Sequence, residues 1–539
     1  MPLPYESARA FHDKLDARRA NFLTEWQDVV DLILPHAGNT NRLESPGERR
    51  GYRRYSSVAV QACKDFSSLM AATVTNAAQR WFLWELKNSQ LREVKGIRDW
   101  FDEANKRGRE VLNDSNFYQL IQVAYKDFGG MGTSTMWLQE KSPRPDGSFG
   151  GVFFTLPSAR EYCVQEGPEG VIDTVTRMWR MDASSAVRRF QEEPGAVSIH
   201  RDWMEKAQNK DGQQGLAKVP VLHTCMPNGE LWESTYYDAE HQQVLANAFY
   251  REQPFACARF DLTSEDEGWG RGAGMELLPD VRSLNEQKRL ELRGLEKDID
   301  PPLIAHSESV LGRADAGAGK MIWLKAGAQP PSYLLSGTRF DISKFKTDEA
   351  KEIIYAAFYL SEVRMLTSAR PGNMSEQEYL SRTQQALERI GPMYFRLTHE
   401  FLDILLMRLF SILMRRGEFP PLPAEMQDLA RRGYDLSLQV GYTGPIARAQ
   451  RMVEHRNTSE FLGFGVQLAQ GTGQLDAIDW IDTDEAMQQA HELLGAPSKV
   501  LRGKREVEEI RERRAQEQQA AALAAQMADT LGGGVGSAG

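Results

Sequence analysis

Residues 376–416 carry the longest helical pattern in this chain of 539 residues. Ser375-Glu376-Gln377-Glu378 opens it as a capping box, in which side chains satisfy backbone amides that the first helical turn leaves unpaired. At 1.5 Å per residue the pattern spans about 60 Å. Gly391-Pro392 lies in its interior. Proline lacks an amide and crowds the preceding turn, so a kink is expected there. Pro420, Pro421 and Pro423 end the pattern. Its most apolar part, Phe401 to Met414, is 14 residues long and includes Asp403, Arg408 and Ser411. A membrane span needs about 20 apolar residues, so this is read as a buried helix. The N-terminus, MPLPYESARAFHDKL, lacks a basic start followed by an apolar run and is not a signal peptide. A soluble protein, intracellular while it is made, is expected.

Before residue 265 the pattern is of another kind. Residues 5–34, 56–76, 95–113 and 115–128 read as helices; in the first, Phe11, Leu15, Phe22, Trp26, Val29 and Ile33 form one face. From Thr133 the segments TSTMWLQE, GGVFFTLP, REYCVQE and VIDTVTRMWRM are short, β-rich and bounded by Gly, Pro and Asp. A helix near 184–192 interrupts them, and VPVLHTCMP, STYYDA, ANAFY and FACARFDLT continue them. Helices followed by a mostly antiparallel sheet make an α+β unit. After Pro279 a helix is expected to about 299, with Leu277, Val281, Leu284, Leu292, Leu295 and Ile299 on one narrow stripe broken by Lys288. Residues 301–343 read as strands and turns, and 347–362 as another helix. Arg370-Pro371-Gly372-Asn373 forces a loop at 366–375. YDLSLQVGY at 434–442 is one more strand. Helices follow near 446–468, 483–495 and 499–529, with a glycine-rich tail. The fold class is therefore α+β and mostly helical.

The chemistry that an enzyme of this size would display is missing. The glycine run Gly268-Trp-Gly-Arg-Gly-Ala-Gly274 has Ala273 where a dinucleotide loop needs glycine, and no βαβ unit surrounds it. The run ending Gly319-Lys320-Met321 lacks the Ser or Thr of a P-loop. No HExxH or GxSxG is present, and the nine histidines are scattered. Cys63, Cys163, Cys225 and Cys257 form no CxxC pair, so a zinc knuckle is not expected and a reducing compartment fits. No catalytic residue, cofactor or metal is assigned. The net charge is −10, from 65 basic and 75 acidic residues. A tight, sequence-blind grip on nucleic acid would call for a basic surface.

The order of parts resembles the portal (head-to-tail connector) proteins of short-tailed bacteriophages. RWFLWEL (80–86) and SNFYQLIQVAYKDFGGMGTSTMWLQE (115–140) are similar to that family's segments. GWGRGAGMELLPDVRSLNEQKR (268–289) looks like its Y-G-R-S segment and the helix after it, with Trp269 and Gly272 replacing the usual Tyr and Ser. MLTSARPGNMSEQEY (365–379) resembles its M-L-N-S-A loop and helix start. The resemblance covers roughly residues 5–465.

It implies a portal fold: an α/β wing (1–265), a first stem helix (266–300), a β-containing clip (301–343), a second stem helix (344–362), a tunnel loop (363–375), a long kinked helix (376–420), a return to the wing (421–469) and a crown with a flexible tail (470–539). It also implies a structural, non-enzymatic ring, usually of twelve subunits, at one capsid vertex. Double-stranded DNA would pass through its channel during packaging and ejection. Partners would be terminase, tail adaptor proteins, and capsid and scaffolding proteins, without a membrane. The place would be the virion's portal vertex, reached from the host cytoplasm. A duct must not hold its cargo, so a few mobile cations suffice. Arg364, Arg370, Asn373, Lys344 and Lys346 are candidates to face the DNA, with Pro371 and Gly372 shaping the loop. Gly391 and Pro392 would kink the long helix. Val281, Leu284, Leu292 and Leu295 would form a seam between stem helices. The competing readings are a virion core, tail or assembly scaffold without a channel, and a nucleic-acid enzyme with an unrecognised site.

Overall fold

A computed structural model describes residues 2–35, 37–38, 54–92, 94–208, 217–263, 268–299, 301, 303–304, 323–330, 332–333, 340–367, 375–449 and 504–532, with isolated positions between 461 and 487. The chain opens with helices α1 (Tyr5–Leu32) and α2 (Val58–Thr73). Buried positions 8, 12, 15, 19, 22, 26 and 29 recur every three or four residues, placing one face of α1 inside. Two of them are polar. His12 Nδ1 bonds Thr176 Oγ1 at 2.8 Å. Arg19 donates to the carbonyls of Ala159 (2.8 Å) and Tyr162 (2.6 Å) and pairs with Asp16. Strand β1 (Phe82–Leu86), the short α3 (Ser89–Arg92), α4 (Lys95–Asp114) and α5 (Phe117–Met131) come next.

The β-rich region forms two antiparallel sheets. β2 (Thr133–Glu140) lies between β3 (Val152–Thr155) and β9 (Phe255–Arg259). A five-stranded meander runs β4 (Tyr162–Glu166), β5 (Ile172–Asp182), β6 (Lys218–Asn228), β7 (Leu231–Asp238) and β8 (Gln243–Tyr250). Between β5 and β6 come α6 (Ala183–Glu192) and α7 (Arg201–Gln208), the second of which the sequence pattern does not reveal. The expected mixed architecture, helices first and then antiparallel sheet, is present.

A glycine-lined contact joins helix α5 to the segment after β9. Gly132 ends α5 at φ 86°, and Gly129-Gly130 and Gly132 lie against Gly270, Gly272 and Gly274. A Cβ on Gly272 would sit 2.6 Å from the Gly132 nitrogen and 2.9 Å from the carbonyl oxygens of Gly129 and Gly130. Backbone meets backbone here, so the glycine run is a packing device and not a phosphate cradle. Trp269, within the run, is buried against Trp26, Phe22 and Tyr162.

After the one-turn α8 (Ala273–Glu276) come α9 (Leu278–Ile299), a two-residue ladder of β10 (Leu303–Ile304) on β11 (Ser332–Tyr333), α10 (Phe340–Ala357) and α11 (Leu360–Thr367). The long helical pattern is realised as α12 (Glu376–Arg396), a π-helical turn at Leu397–Leu402 and α13 (Asp403–Arg416). Ser375 Oγ accepts the Glu378 amide at 3.1 Å, as its capping box requires. Helix continues through Gly391-Pro392, and the departure from α geometry comes at 397–402, where the Thr398 hydroxyl donates to the carbonyls of Tyr394 and Phe395. Gly417, at φ 69°, ends the helix before the prolines are reached.

Helix α14 (Ala424–Arg431) and strand β12 (Leu438–Tyr442) return the chain to its beginning: β12 pairs with β1, Phe82 opposite Tyr442 and Leu86 opposite Leu438. Helix α15 (Lys504–Gly532) is the last element. One hydrophobic core includes Trp26, Trp84, Phe128, Trp137, Val281, Phe358, Leu405 and Ile446. The segments are therefore threaded through a shared interior.

Charged residues of the long helix are satisfied inside the chain. Arg408 is buried at 2% exposure, donates to the carbonyls of Leu138 (2.9 Å) and Glu252 (3.3 Å), and lies 4.6 Å from the Tyr250 ring centre. Glu400, on the π turn, holds buried Arg259 with two bonds of 2.8 Å.

Candidate channel-lining site

Helices α9 and α10 lie side by side. Glu291, in the second half of α9, meets Thr347 Oγ1 in the first half of α10 at 3.5 Å, as in a helical hairpin. The apolar stripe of α9 is divided. Val281 and Leu284 are 4% and 2% exposed and belong to the chain's own core. Leu292 and Leu295 are 48% and 45% exposed, with Leu290 and Ile299 also open to solvent. The four-residue seam expected between stem helices is thus two core residues followed by two exposed ones. Phe345 on α10 is 72% exposed between Lys344 and Lys346, both exposed as well. The Lys-Phe-Lys triplet is visible in the sequence, but nothing there marks its apolar member as solvent-facing.

The second of these helices differs from expectation at both ends. It begins at Phe340 and breaks after Ala357. Tyr359 adopts φ 52°, a left-handed conformation uncommon for an aromatic residue, and α11 resumes at Leu360. The break is held from both sides: Phe358 and Leu360 are buried, and Tyr359 stacks on Phe260 with ring centres 6.1 Å apart. Burial, with the carboxylates of Asp261 and Glu276 nearby, raises the Tyr359 hydroxyl above its ordinary pKa.

Helix α11 corrects the loop boundary. Residues 363–367, expected to begin a tunnel loop, are helical, because Val363 and Leu366 continue an apolar face into the core. Arg364 consequently sits on a helix and not on a loop. It is exposed and pairs with Asp65 of α2 at 3.3 Å. Across the helix, buried Glu362 pairs with Arg389 of α12. These two ion pairs tie α11 to neighbours on both sides. Arg370, Pro371, Gly372 and Asn373 lie outside the described residues. Among the candidate cations, Arg364, Lys344 and Lys346 are therefore placed, all at the surface. Lys351 bonds Asp348 at 2.9 Å and holds its carboxyl below the ordinary range, with Lys344 and Lys288 adding to the effect.

The arrangement offers two long helices with an exposed apolar strip, followed by a helix pinned by ion pairs on both sides. Such a unit suits lateral packing; among the described residues it assembles no nucleophile, base and oxyanion donor.

The chain belongs to the bacteriophage head-to-tail connecting protein family, whose model matches residues 6–501. It is 25% identical over 533 residues to the portal protein of Salmonella phage epsilon15, covering 94% of this chain and 90% of that one. It is 24% identical over 544 residues to the probable portal protein of Bordetella phage BPP-1, covering 96% and 93%. Among solved structures, the neck of an empty gene transfer agent particle matches with 12% identity and a TM-score of 0.38, covering 82% of this chain and 90% of that one.

Proposed function

We propose that this connector acts as a closed ring of twelve copies at one capsid vertex, through which double-stranded DNA is packaged and later ejected. In this reading α9 and α10 are the stem, 301–343 the clip that docks terminase and then tail adaptor proteins, and the segment after α11 the tunnel loop. Capsid and scaffolding proteins contact the wing, and the host cytoplasm is the place of assembly. The work is structural and not enzymatic.

The observation that carries this reading is the exposed strip Leu292, Leu295 and Ile299 on a helix whose preceding turns are buried in the subunit core, in a chain matched nearly end to end by the connector family. A head-to-tail ring needs the same two surfaces on every copy, closing after a fixed number of rotations. The acid balance fits a duct: every copy adds −10 to the ring, so the duplex is repelled except where a few cations touch it.

Size-exclusion chromatography with light scattering tests the ring. A species near twelve subunits is expected, and a stable monomer at micromolar concentration would overturn the proposal. Deletion of 368–373 should leave the ring intact and lower the amount of DNA packaged or retained. A deletion ring that packages normally would remove this segment from the mechanism.

A further inference from the structure

Far in sequence from the stem, α7 and the turn between β7 and β8 bring together groups of another kind. Asp202 and Lys206 stand on α7, while Asp238 ends β7 and Glu240 and His241 stand on the turn that follows. One carboxylate oxygen each from Asp202 and Glu240, and one imidazole nitrogen of His241, lie within 4.8 Å of one another.

His241 distinguishes this cluster from a patch of surface acids. Asp238 is fully buried and accepts the backbone amides of Glu240 and His241 at 2.8 and 3.1 Å. Its other oxygen takes His241 Nδ1 at 2.7 Å. The proton of a neutral His241 is thereby fixed on Nδ1. The lone pair is left on Nε2, which faces Asp202 Oδ2 at 3.5 Å. A tetrahedral ion with bonds of about 2.0–2.2 Å separates its ligands by about 3.3–3.5 Å, so these two atoms already stand at ligand spacing. A buried carboxylate behind an imidazole is how proteins orient a metal-binding histidine and raise its basicity. His200 stacks on the His241 ring, centres 3.6 Å apart and planes 15° from parallel, and its own Nδ1 accepts the Asp202 amide at 3.2 Å. The ring of His241 is therefore fixed in orientation as well as in tautomer.

We propose that Asp202, Glu240 and His241 bind one divalent first-row transition metal ion per subunit, of the zinc class, with Asp238 orienting His241 and water completing the shell. One nitrogen and two carboxylate oxygens suit that class better than Mg²⁺ or Ca²⁺, which prefer oxygen alone. Lys206 occupies the place of the ion when no metal is bound. Its ammonium lies 2.6 Å from Asp202 Oδ2 and 3.0 and 3.1 Å from the two Glu240 oxygens. These contacts lie at a half-exposed position, where ion pairs contribute little, so a doubly charged ion displaces the ammonium, and the lysine stem swings into water. The bound ion would link α7 to the β7–β8 turn across the end of the five-stranded sheet.

The test is a Zn²⁺ titration of the tag-free, full-length protein against a fluorescent chelator. All four cysteines are buried and do not compete for the ion in the folded chain. One Zn²⁺ per subunit is expected, with saturable uptake lost in Asp202→Asn and in His241→Ala. Asp238→Asn should weaken binding by about 10–100-fold, and Lys206→Met should tighten it. Circular dichroism checks that the surface variants Asp202→Asn and Lys206→Met keep their fold. No uptake by the wild type, uptake unchanged in the Asp202 and His241 variants, or Mg²⁺ binding as tight as Zn²⁺ would each overturn the assignment.

Discussion

His12 shows how one residue can set a chain's response to acid. It occupies a core position of α1, and burial, with Arg19 and Arg9 near it against Asp16 and Asp13, pushes its pKa down to about 4. In the unfolded chain a histidine titrates near 6.5. Between those values the unfolded state binds the proton and the folded state does not. Stability from this group is complete above about pH 6.5 and is lost as pH falls toward 4, by about 2–3 kcal/mol. His12→Gln should flatten that part of the profile, read as the melting temperature at pH 7.5 and pH 4.5. Parallel curves for variant and wild type would place the acid sensitivity elsewhere. His12 and Arg19 also mark where the sequence is opaque. Both sit at apolar spacing in α1, but their partners, Thr176 and the carbonyls of residues 159 and 162, lie some 140–165 residues away. Arg408 is hidden in the same way: its helix is legible from Phe401 to Met414, while the carbonyls that neutralise its burial belong to distant parts of the chain. The metal-binding cluster is illegible for the same reason, since α7 and the β7–β8 turn meet only in the fold.

At the scale of elements, periodicity is informative wherever one face of an element is buried by the chain itself. β2 is legible to its last residue because flanking turns and β-branched content agree at 133–140. The stripe of α9 is legible as a stripe, but sequence does not tell which half faces the subunit's own core. The structure separates the halves, and each predicts a different phenotype. Leu292→Asp with Leu295→Asp should leave the subunit folded, with unchanged circular dichroism, and abolish the ring in light scattering. Val281→Asp should destabilise the subunit itself by about 3 kcal/mol or more, because it buries an unpaired charge. If the Leu292/Leu295 variant still forms rings, that strip does not lie between subunits. The break at Tyr359 has no sequence signal. Neither glycine nor proline marks it, and only burial of Phe358 and Leu360 on either side holds the left-handed turn in place.

For the whole molecule, the ordering of helices, sheet, long helix and return strand can be read from changes in pattern along the chain. Their common core cannot, because the contacts that create it are non-local. The β1–β12 pairing is the clearest case, and it yields a prediction about the complete chain. A version ending at Arg432 lacks β12 and leaves the β1 edge unpaired. It should form soluble aggregates in place of rings, whereas a version ending at residue 449, which keeps β12, should still form rings in light scattering. A well-folded protein ending at Arg432 would show that β12 merely decorates the wing.

The same pairing has a consequence for the timing of synthesis. Phe82, Trp84 and Leu86 leave the ribosome early, yet their strand partner emerges more than 350 residues later. At about 5–20 residues per second that interval lasts some tens of seconds. Throughout it the nascent chain carries an open strand edge beside three large aromatic or aliphatic side chains, a surface that invites association with other chains. Closing that edge is almost the last event in building the body. A chain that stops short of residue 438 lacks β12 and keeps that edge open.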